Sequence, residues 1–243
     1  MTTATLYIVS TPIGNLEDFS PRAVATLKKV DLIAVEDTRH SGRLMQHFSI
    51  STPMLAVHDH NERARAKILV QKLAQGQSIA LISDAGTPLI SDPGYHLVNA
   101  VRNAGYKVVP VVGPCALIAG LSVAGLATDR FSFYGFLPAK SSGRKQQLQQ
   151  LVSVTHTQIF YESPHRIVAT VDDIVAVMGA NRQLVLAREL TKTFETIFSA
   201  KASEVKCWLG ADHNQQKGEF VVLIEGAEPE QLQAIGPKEE RML

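Results

Sequence analysis

The sequence is poor in cysteine and in aromatic residues, and neither sign of charge is in excess. Its 243 residues include 2 cysteines, 6% aromatic residues, and 24 basic against 23 acidic side chains, for a formal net charge of +1. Cys115 and Cys207 are too few for a disulfide framework and show no metal-ligand spacing. Because aromatic residues are few, the core must be built mainly from Ala, Val, Ile and Leu. The small net charge excludes bulk electrostatics as a sufficient means of holding nucleic acid.

Long apolar runs and targeting patterns are absent as well. The stretch 108–126 is interrupted by prolines and glycines, whereas a membrane helix needs roughly 20 consecutive apolar residues. The opening Met-Thr-Thr-Ala lacks the basic and apolar regions of a secretory signal. With 45% apolar and 19% charged residues, the composition is that of a globular protein. We expect a cytoplasmic protein without disulfides.

Short β-branched runs alternate with helical patterns in the first half of the chain. Strands are predicted at 5–10, 32–36, 78–83 and 107–111, and helices at 20–28, 38–48, 62–73 and 92–104. Strands that alternate with helices predict a largely parallel sheet covered on both faces.

The pattern changes after Gly125, where some strands follow one another without a helix. Strands are predicted at 130–136, 158–161, 183–188, 194–199 and 219–225, with a basic, flexible stretch at 138–144 and helices at 145–152, 165–178 and 202–209. This pattern predicts a mixed sheet. The fold class is therefore α/β, with an N-terminal domain at 1–120, a C-terminal domain at 121–226, a cleft between them, and a flexible tail at 227–243.

Three loops that contain glycine and proline follow the carboxyl ends of predicted parallel strands. They are Thr11–Asn15, Asp84–Pro88 and Gly113–Ala116. Ligands of open α/β sheets bind beyond those strand ends, and the helix that follows each loop favours an anionic group. Each loop alone is equally compatible with a tight turn. All three at matching positions favour a ligand crevice.

Several common site motifs are missing. The sequence has no G-x-G-x-x-G turn, no Walker phosphate loop and no G-x-S-x-G elbow. His58 and His60 have no third ligand at a matching spacing, so we expect no metal site. Two acidic clusters, 36–39 and 189–192, follow strands. They are either helix caps with surface ion pairs or functional clusters, and their place at strand ends favours function.

One string in the sequence is long and specific. Residues 83–94 read Ser-Asp-Ala-Gly-Thr-Pro-Leu-Ile-Ser-Asp-Pro-Gly. The string resembles the signature of the ribosomal RNA small-subunit methyltransferase I family, within the tetrapyrrole methylase-like superfamily. The likeness extends to blocks at 7–16, 36–40, 58–62, 113–116, 135–140, 160–163 and 187–192, and so covers the chain up to Gly226.

The resemblance implies a two-domain methyltransferase that uses S-adenosylmethionine and forms a homodimer. It also implies 2′-O-methylation of a cytidine ribose in the decoding region of 16S ribosomal RNA, and a further helical segment beyond the position of Leu243. The cofactor-binding residues that it implies are Pro12, Gly14, Asp84, Ala85, Gly86, Pro88, Gly113, Pro114 and Ala116 in the first domain, and Tyr161, Arg188, Glu189 and Leu190 in the second.

Methyl transfer to a ribose hydroxyl needs a group that takes the proton or stabilises the developing alkoxide. The candidates are Glu36, Asp37, Arg39 and Lys192. Lys192 would need desolvation or neighbouring cations to act as a base near neutral pH. The RNA-binding candidates are Asn15, Lys140, Arg144 and Lys145, and an assembled small subunit is the expected form of the target.

Two other functions remain open at the level of sequence. A tetrapyrrole methyltransferase would share the fold and the methyl donor. The loop Thr11–Asn15, which replaces a glycine-rich turn, and the basic segment at Lys140 disfavour it. A non-catalytic protein that binds S-adenosylmethionine or RNA would keep cofactor affinity without methyl transfer. The many polar residues at strand ends argue against this second alternative.

Overall fold

The computed structural model describes residues 4–228. The chain divides into two compact units between Cys115 and Ala116. The part of the predicted tail from residue 229 onward lies outside the described residues. Within the described part, no helix combines the length and the apolar character that crossing a membrane requires.

The first unit is an α/β layer structure whose five strands are all parallel, in the order β3-β2-β4-β1-β5. Its elements are β1 (Thr5–Val9), α1 (Pro21–Lys29), β2 (Leu32–Val35), α2 (Thr38–His47), β3 (Met54–Ala56), α3 (Glu62–Ala74), β4 (Ile79–Leu81), α4 (Tyr95–Asn103) and β5 (Lys107–Val111), with a 3₁₀ helix at Leu16–Asp18. The predicted parallel sheet is confirmed.

Alternation along the strands divides the core of this unit between the two faces of the sheet. In β2, Ile33 packs with α1 and α2 on one face, whereas Ala34 packs with α3 and α4 on the other. Both residues are fully buried, as expected for a sheet covered on both sides. α1 begins where the sequence predicts, with the Ser20 hydroxyl accepting from the Ala23 amide and Pro21 at the first helical position.

The second unit contains a five-stranded mixed sheet in the order β6-β7-β10-β8-β9. Its elements are α5 (Ala116–Val123), β6 (Phe131–Phe136), α6 (Ser141–Leu151), β7 (Thr157–Glu162), α7 (Ile167–Met178), β8 (Gln183–Arg188), β9 (Thr196–Lys201), α8 (Ala202–Ala211) and β10 (Phe220–Ile224), with a 3₁₀ helix at His213–Gln216. β6 and β7 are parallel and the other pairs are antiparallel. The predicted mixed sheet is confirmed.

α5 belongs entirely to the second unit, where Gly120 lies against Val221 of β10 and Ala187 of β8. The stretch 138–144, expected to be a flexible segment, contains the first turn of α6. α6 starts at Ser141, four residues earlier than predicted, because the Ser141 hydroxyl and the Arg144 guanidinium both donate to Asp173 of α7.

Candidate functional site

The carboxyl ends of all five parallel strands of the first unit lie at one edge of the sheet. From β2 the chain continues outward to β3, and from the neighbouring β4 it continues in the opposite direction to β5. Ligands in open α/β sheets bind where the connections from two neighbouring strands run in opposite directions. The ends of β2 and β4 therefore mark the position where a site is expected.

Hydrogen bonds tie together the three loops that the sequence singled out. The Thr11 amide donates to the Gly86 carbonyl at 2.8 Å, and the Gly86 amide donates back to the Thr11 carbonyl at 3.2 Å. The Ser10 and Thr87 hydroxyls lie 2.9 Å apart, and Thr87 donates to the Pro114 carbonyl at 2.9 Å. The loops after β1, β4 and β5 thus form one connected surface, and the predicted cofactor contacts of its residues stay predictions.

The long loop after β4 holds an unusual backbone. Leu89 and Ser91 have φ values of 73° and 66°, in the left-handed region that side chains disfavour, and Gly94 has a φ of 135°. Strained residues of this kind persist where the surrounding structure enforces them, often at functional sites. Here the turns bring Asp92 back toward Ser83 and Asp84.

Four carboxylates cluster at this edge: Glu36 after β2, Asp59 after β3, and Asp84 and Asp92 after β4. Burial and the nearby carboxylates Asp84 and Asp59 raise the pKa of Asp92 to about 6, against a hydrogen bond from Ser83 that lowers it. Burial, Asp84, Asp92 and Asp59 also raise the pKa of Glu36, partly offset by a hydrogen bond from the Asp84 backbone. A carboxylate whose pKa is raised is a better proton acceptor than an ordinary one.

Asp37 differs from its neighbour Glu36. Its carboxylate accepts from the Arg39 amide at 2.8 Å, so it caps the N-terminus of α2, and it pairs with the exposed Arg39 guanidinium at 3.3 Å. These bonds hold the pKa of Asp37 below its ordinary value. The Asp37 amide donates to the Asp84 carboxylate at 3.3 Å, which links the ends of β2 and β4. The Asn15 side chain likewise caps the short helix at Leu16, by accepting from the Glu17 amide.

In the second unit, Lys192 lies in an ion-pair network. Its ammonium is 2.9 Å from Glu189 Oε1 and 2.9 Å from Glu219 Oε2. Burial disfavours its charge, but the hydrogen bonds to both glutamates outweigh burial and hold the pKa of Lys192 above its ordinary value. The loop is strained, with φ values of 50° at Glu189 and 67° at Thr191. A protonated Lys192 supplies positive charge and is unsuited to removing a proton.

The other residues predicted for the cofactor in this unit have internal partners. The buried Arg188 guanidinium donates to the backbone carbonyls of Lys217, Asn214 and Phe194 at 2.6 to 2.9 Å. Arg188 is thus a clamp on the loops beside it, and Leu190 is buried. The Tyr161 hydroxyl accepts from the Leu117 amide in the first turn of α5.

The predicted RNA-binding residues fall into two classes. Lys140 is exposed, and Lys145 is half-exposed at 3.5 Å from Asp173. Arg144 is 3% exposed, and its Nε donates to Asp173 at 2.7 Å. The expectation of a direct phosphate contact by Arg144 does not fit this position, because the guanidinium is occupied by a buried carboxylate.

Sequence reasoning missed Asp92 as a site residue. The motif Asp92-Pro93-Gly94 indicates a helix start, and nothing local reveals that the loop folds back on itself. Only its place within the string 83–94 pointed to it. Among residues 4–228, no group of three or more His, Cys, Asp or Glu side chains is arranged to hold a metal ion.

A family model described as "Tetrapyrrole (Corrin/Porphyrin) Methylases" matches residues 5–206. Curated proteins named ribosomal RNA small subunit methyltransferase I are also similar to the chain. The one from Vibrio cholerae is 59% identical over 91% of this chain and 77% of its own length. The one from Pseudomonas aeruginosa is 54% identical over 100% of this chain and 86% of its own length.

Solved structures show the same fold at much lower identity. A uroporphyrin-III-C-methyltransferase from Thermus thermophilus has a TM-score of 0.60 at 15% identity, covering 91% of this chain and 94% of that chain. A diphthine synthase has a TM-score of 0.68 at 12% identity, covering 92% of this chain and 90% of that chain. These two structures support the fold and carry no argument about the substrate.

Proposed function

We propose that this chain transfers a methyl group from S-adenosylmethionine to RNA of the small ribosomal subunit. The chain belongs to the tetrapyrrole methylase family and, within it, to the ribosomal RNA small subunit methyltransferase I group. The observation that carries the proposal is identity above 50% to proteins of that name along nearly the whole chain. The finer proposal is 2′-O-methylation of a cytidine ribose in the decoding region of 16S RNA. A homodimer that acts on the small subunit in the cytoplasm belongs to the same proposal.

The charge at the sheet edge fits this cofactor. S-adenosylmethionine carries positive charge on its sulfonium and its ammonium, and when bound it supplies an electrophilic methyl group. Burial and, after it, repulsion by the neighbouring carboxylates, Asp84 among them, raise the pKa values of Glu36 and Asp92. A cation beside these carboxylates relieves their repulsion. The negative charge of the carboxylates therefore favours binding of the cationic cofactor. The hydrogen bond from the Asp37 amide positions the Asp84 carboxylate at this edge.

Glu36 is the best general base among the predicted candidates. Its raised pKa brings its basicity closer to neutral pH, where a base combines a deprotonated state with a useful driving force. Asp37 is the weaker base, because its bonds to Arg39 lower its pKa. Glu36 would take the proton from the ribose hydroxyl while the methyl carbon forms its bond to the ribose oxygen and its bond to sulfur breaks, so that a neutral thioether leaves.

Lys192 keeps a proposed catalytic role, as a cation. Its raised pKa keeps it protonated, and Glu189 and Glu219 fix its position from two sides. A positioned ammonium stabilises an oxygen on which negative charge develops. Arg39, exposed and paired with Asp37, can serve in the same way toward a phosphate of the RNA.

The test is methyl transfer from labelled S-adenosylmethionine to small subunits from a strain that lacks this enzyme. Digestion of the product and mass spectrometry should locate one methyl group on the ribose of one cytidine. In Glu36→Gln, kcat at saturating cofactor should fall by roughly 10²- to 10⁴-fold, the contribution of a general base, and calorimetry measures separately the loss of cofactor affinity that follows from removing one carboxylate. A methyl group on a base, or a Glu36→Gln variant with normal kcat, would overturn the finer proposal.

A further inference from the structure

Phe136 is a large aromatic side chain that the fold exposes at the end of β6. It is 53% exposed. The pairing of β6 with β7 is regular from Phe131 to Phe133, and then one extra residue enters before Phe136 pairs with Tyr161. Gly135, with a φ of 65°, accommodates this bulge. The ring therefore emerges at a position set by the backbone.

The bulge decides which face of the sheet Phe136 joins. Side chains alternate along a strand, so a regular β6 would put Phe136 on the same face as Tyr134, which stacks on the buried Phe160. The extra residue places it instead with Phe133 on the Tyr161 face, where the Phe136 and Tyr161 ring centroids are 5.8 Å apart. A ring that a regular strand would turn toward the core is thus directed to solvent.

A fixed cation lies over the same ring. The Arg166 guanidinium is 5.9 Å from the Phe136 centroid. Arg166 is held by the buried Glu162 carboxylate at 2.7 Å and donates to the Leu137 carbonyl at 3.2 Å. Glu162 also accepts from Thr170 at 2.7 Å. These bonds position the Arg166 guanidinium over the Phe136 ring.

The buried Arg144 side chain also contacts the segment that follows Phe136. The buried Arg144 donates to the Pro138 and Ala139 carbonyls at 3.4 Å. Lys140 comes next and is exposed. The acidic groups here, Glu162 and Asp173, are buried and paired. The exposed charge on this segment is therefore that of Lys140.

We infer that Phe136 is a stacking surface for one unpaired base of the RNA substrate, with Lys140 contacting a neighbouring phosphate. Single-stranded RNA is recognised by bases stacked on aromatic side chains and guanidinium planes, with cations along the backbone. The exposed Phe136 ring and Lys140 lie on one short segment, and the Arg166 guanidinium lies over the ring, so together they supply those elements. The inference rests on the proposed function and names the contact that the substrate makes in the second unit.

The test compares three variants with the wild-type full chain. Phe136→Leu keeps an apolar side chain without a π-face, and Phe136→Trp keeps the π-face. Phe131→Leu is the matched control, since Phe131 is 40% exposed on the same strand and lies about 17 Å away along it. Affinity for a short single-stranded oligoribonucleotide is measured by anisotropy at fixed salt, affinity for S-adenosylmethionine by calorimetry, and KM with small subunits.

Phe136→Leu should lower the affinity for the oligoribonucleotide and raise KM by roughly 5- to 150-fold, the effect of losing one stacked base. Phe136→Trp should keep RNA affinity and KM near the wild-type values. Phe131→Leu should change either quantity by less than about 2-fold. Cofactor affinity and melting temperature should match the wild type in all three. Weaker cofactor binding with normal RNA binding would overturn the inference, since the ring would then contact the cofactor.

The outcomes separate this inference from the proposed function. Methyl transfer by the wild type, with unchanged RNA affinity and KM in Phe136→Leu, overturns the inference alone. RNA binding that depends on Phe136 in a chain that transfers no methyl group supports the inference and overturns the proposed function.

Discussion

At the scale of single residues, Asp92 is a carboxylate held where its charge is unfavourable. Its pKa of about 6 means that the folded protein prefers its protonated form more than the unfolded chain does. This preference stabilises the fold fully below the unfolded pKa of about 3.9 and is lost as the pH rises through 6. At pH 8 the ionised Asp92 therefore destabilises the protein, which suits a group kept to meet a cation.

Replacing Asp92 with asparagine should raise the free energy of unfolding at pH 8 by about 1 kcal/mol, after discounting for solvent screening. The gain should vanish near pH 4, where the native carboxyl is already protonated. Urea denaturation at the two pH values measures the difference, with the exposed Asp129 replaced by asparagine as the control. Equal destabilisation by Asp92→Asn at both pH values would contradict the account and leave Asp92 as an acceptor for Ser83.

Arg144 provides a second prediction at this scale. Arg144→Met leaves the buried Asp173 without its main partner and should lower the free energy of unfolding by about 3 kcal/mol. Arg130→Met breaks an exposed pair with Asp129 and should cost less than about 0.5 kcal/mol. Denaturant titration of the two variants distinguishes a structural Arg144 from an RNA ligand. Normal stability with weaker RNA binding in Arg144→Met would reverse that assignment.

At the scale of elements, the loop between β4 and α4 depends on close packing at Gly94. A Cβ there would lie 2.9 Å from Leu81 and 3.0 Å from Leu89, and the φ of 135° adds strain. Gly105 has a φ of 80° with no atom within 4 Å of an added Cβ, so it isolates the backbone effect.

Gly105→Ala should lower the free energy of unfolding by about 1 to 2 kcal/mol, the cost of a left-handed alanine. Gly94→Ala should lower the free energy of unfolding by about 1 to 3 kcal/mol more than Gly105→Ala does, because the added methyl group overpacks the core around Leu81. Thermal melts of the two variants give the comparison. Equal losses would mean that Leu89 moves aside freely and that the loop is not held by this contact.

Elements with a repeating pattern were predictable, and those set by distant partners were not. β5 was predicted at the residues where it occurs, and α1 begins at its predicted cap. β3 was missed, because its three half-buried residues at the sheet edge carry no period. The early start of α6 depends on Asp173, which is remote in sequence.

The same distinction applies to the candidate site. The ends of parallel strands share one edge, so the meeting of the loops after β1, β4 and β5 was predictable. The position of Asp92 was not, because it depends on the left-handed turns at Leu89 and Ser91. The pKa of Lys192 is raised by its hydrogen bonds to Glu189 and to Glu219, and Glu219, which reaches it from the loop before β10, is remote in sequence.

At the scale of the whole molecule, a net charge of +1 leaves RNA binding to local groups. The dependence of affinity on salt should accordingly be shallow, with few phosphates neutralised. Lys140→Gln should weaken binding to different RNA sequences about equally and reduce the salt slope by about 1. Affinity measured across a salt series checks this, and Lys107→Gln, an exposed lysine on β5, is the control. An unchanged slope in Lys140→Gln would remove that lysine from the interface.

The central claim concerns which class of molecule accepts the methyl group. The most direct measurement is a set of parallel reactions of the protein with labelled S-adenosylmethionine. Each reaction contains one possible acceptor: small ribosomal subunits, naked 16S RNA or a uroporphyrinogen. We predict label in the RNA of the small subunits, in an alkali-stable dinucleotide that begins with a methylated cytidine, and none in the tetrapyrrole. Label in the tetrapyrrole, or cofactor binding without label in any RNA, would contradict the account.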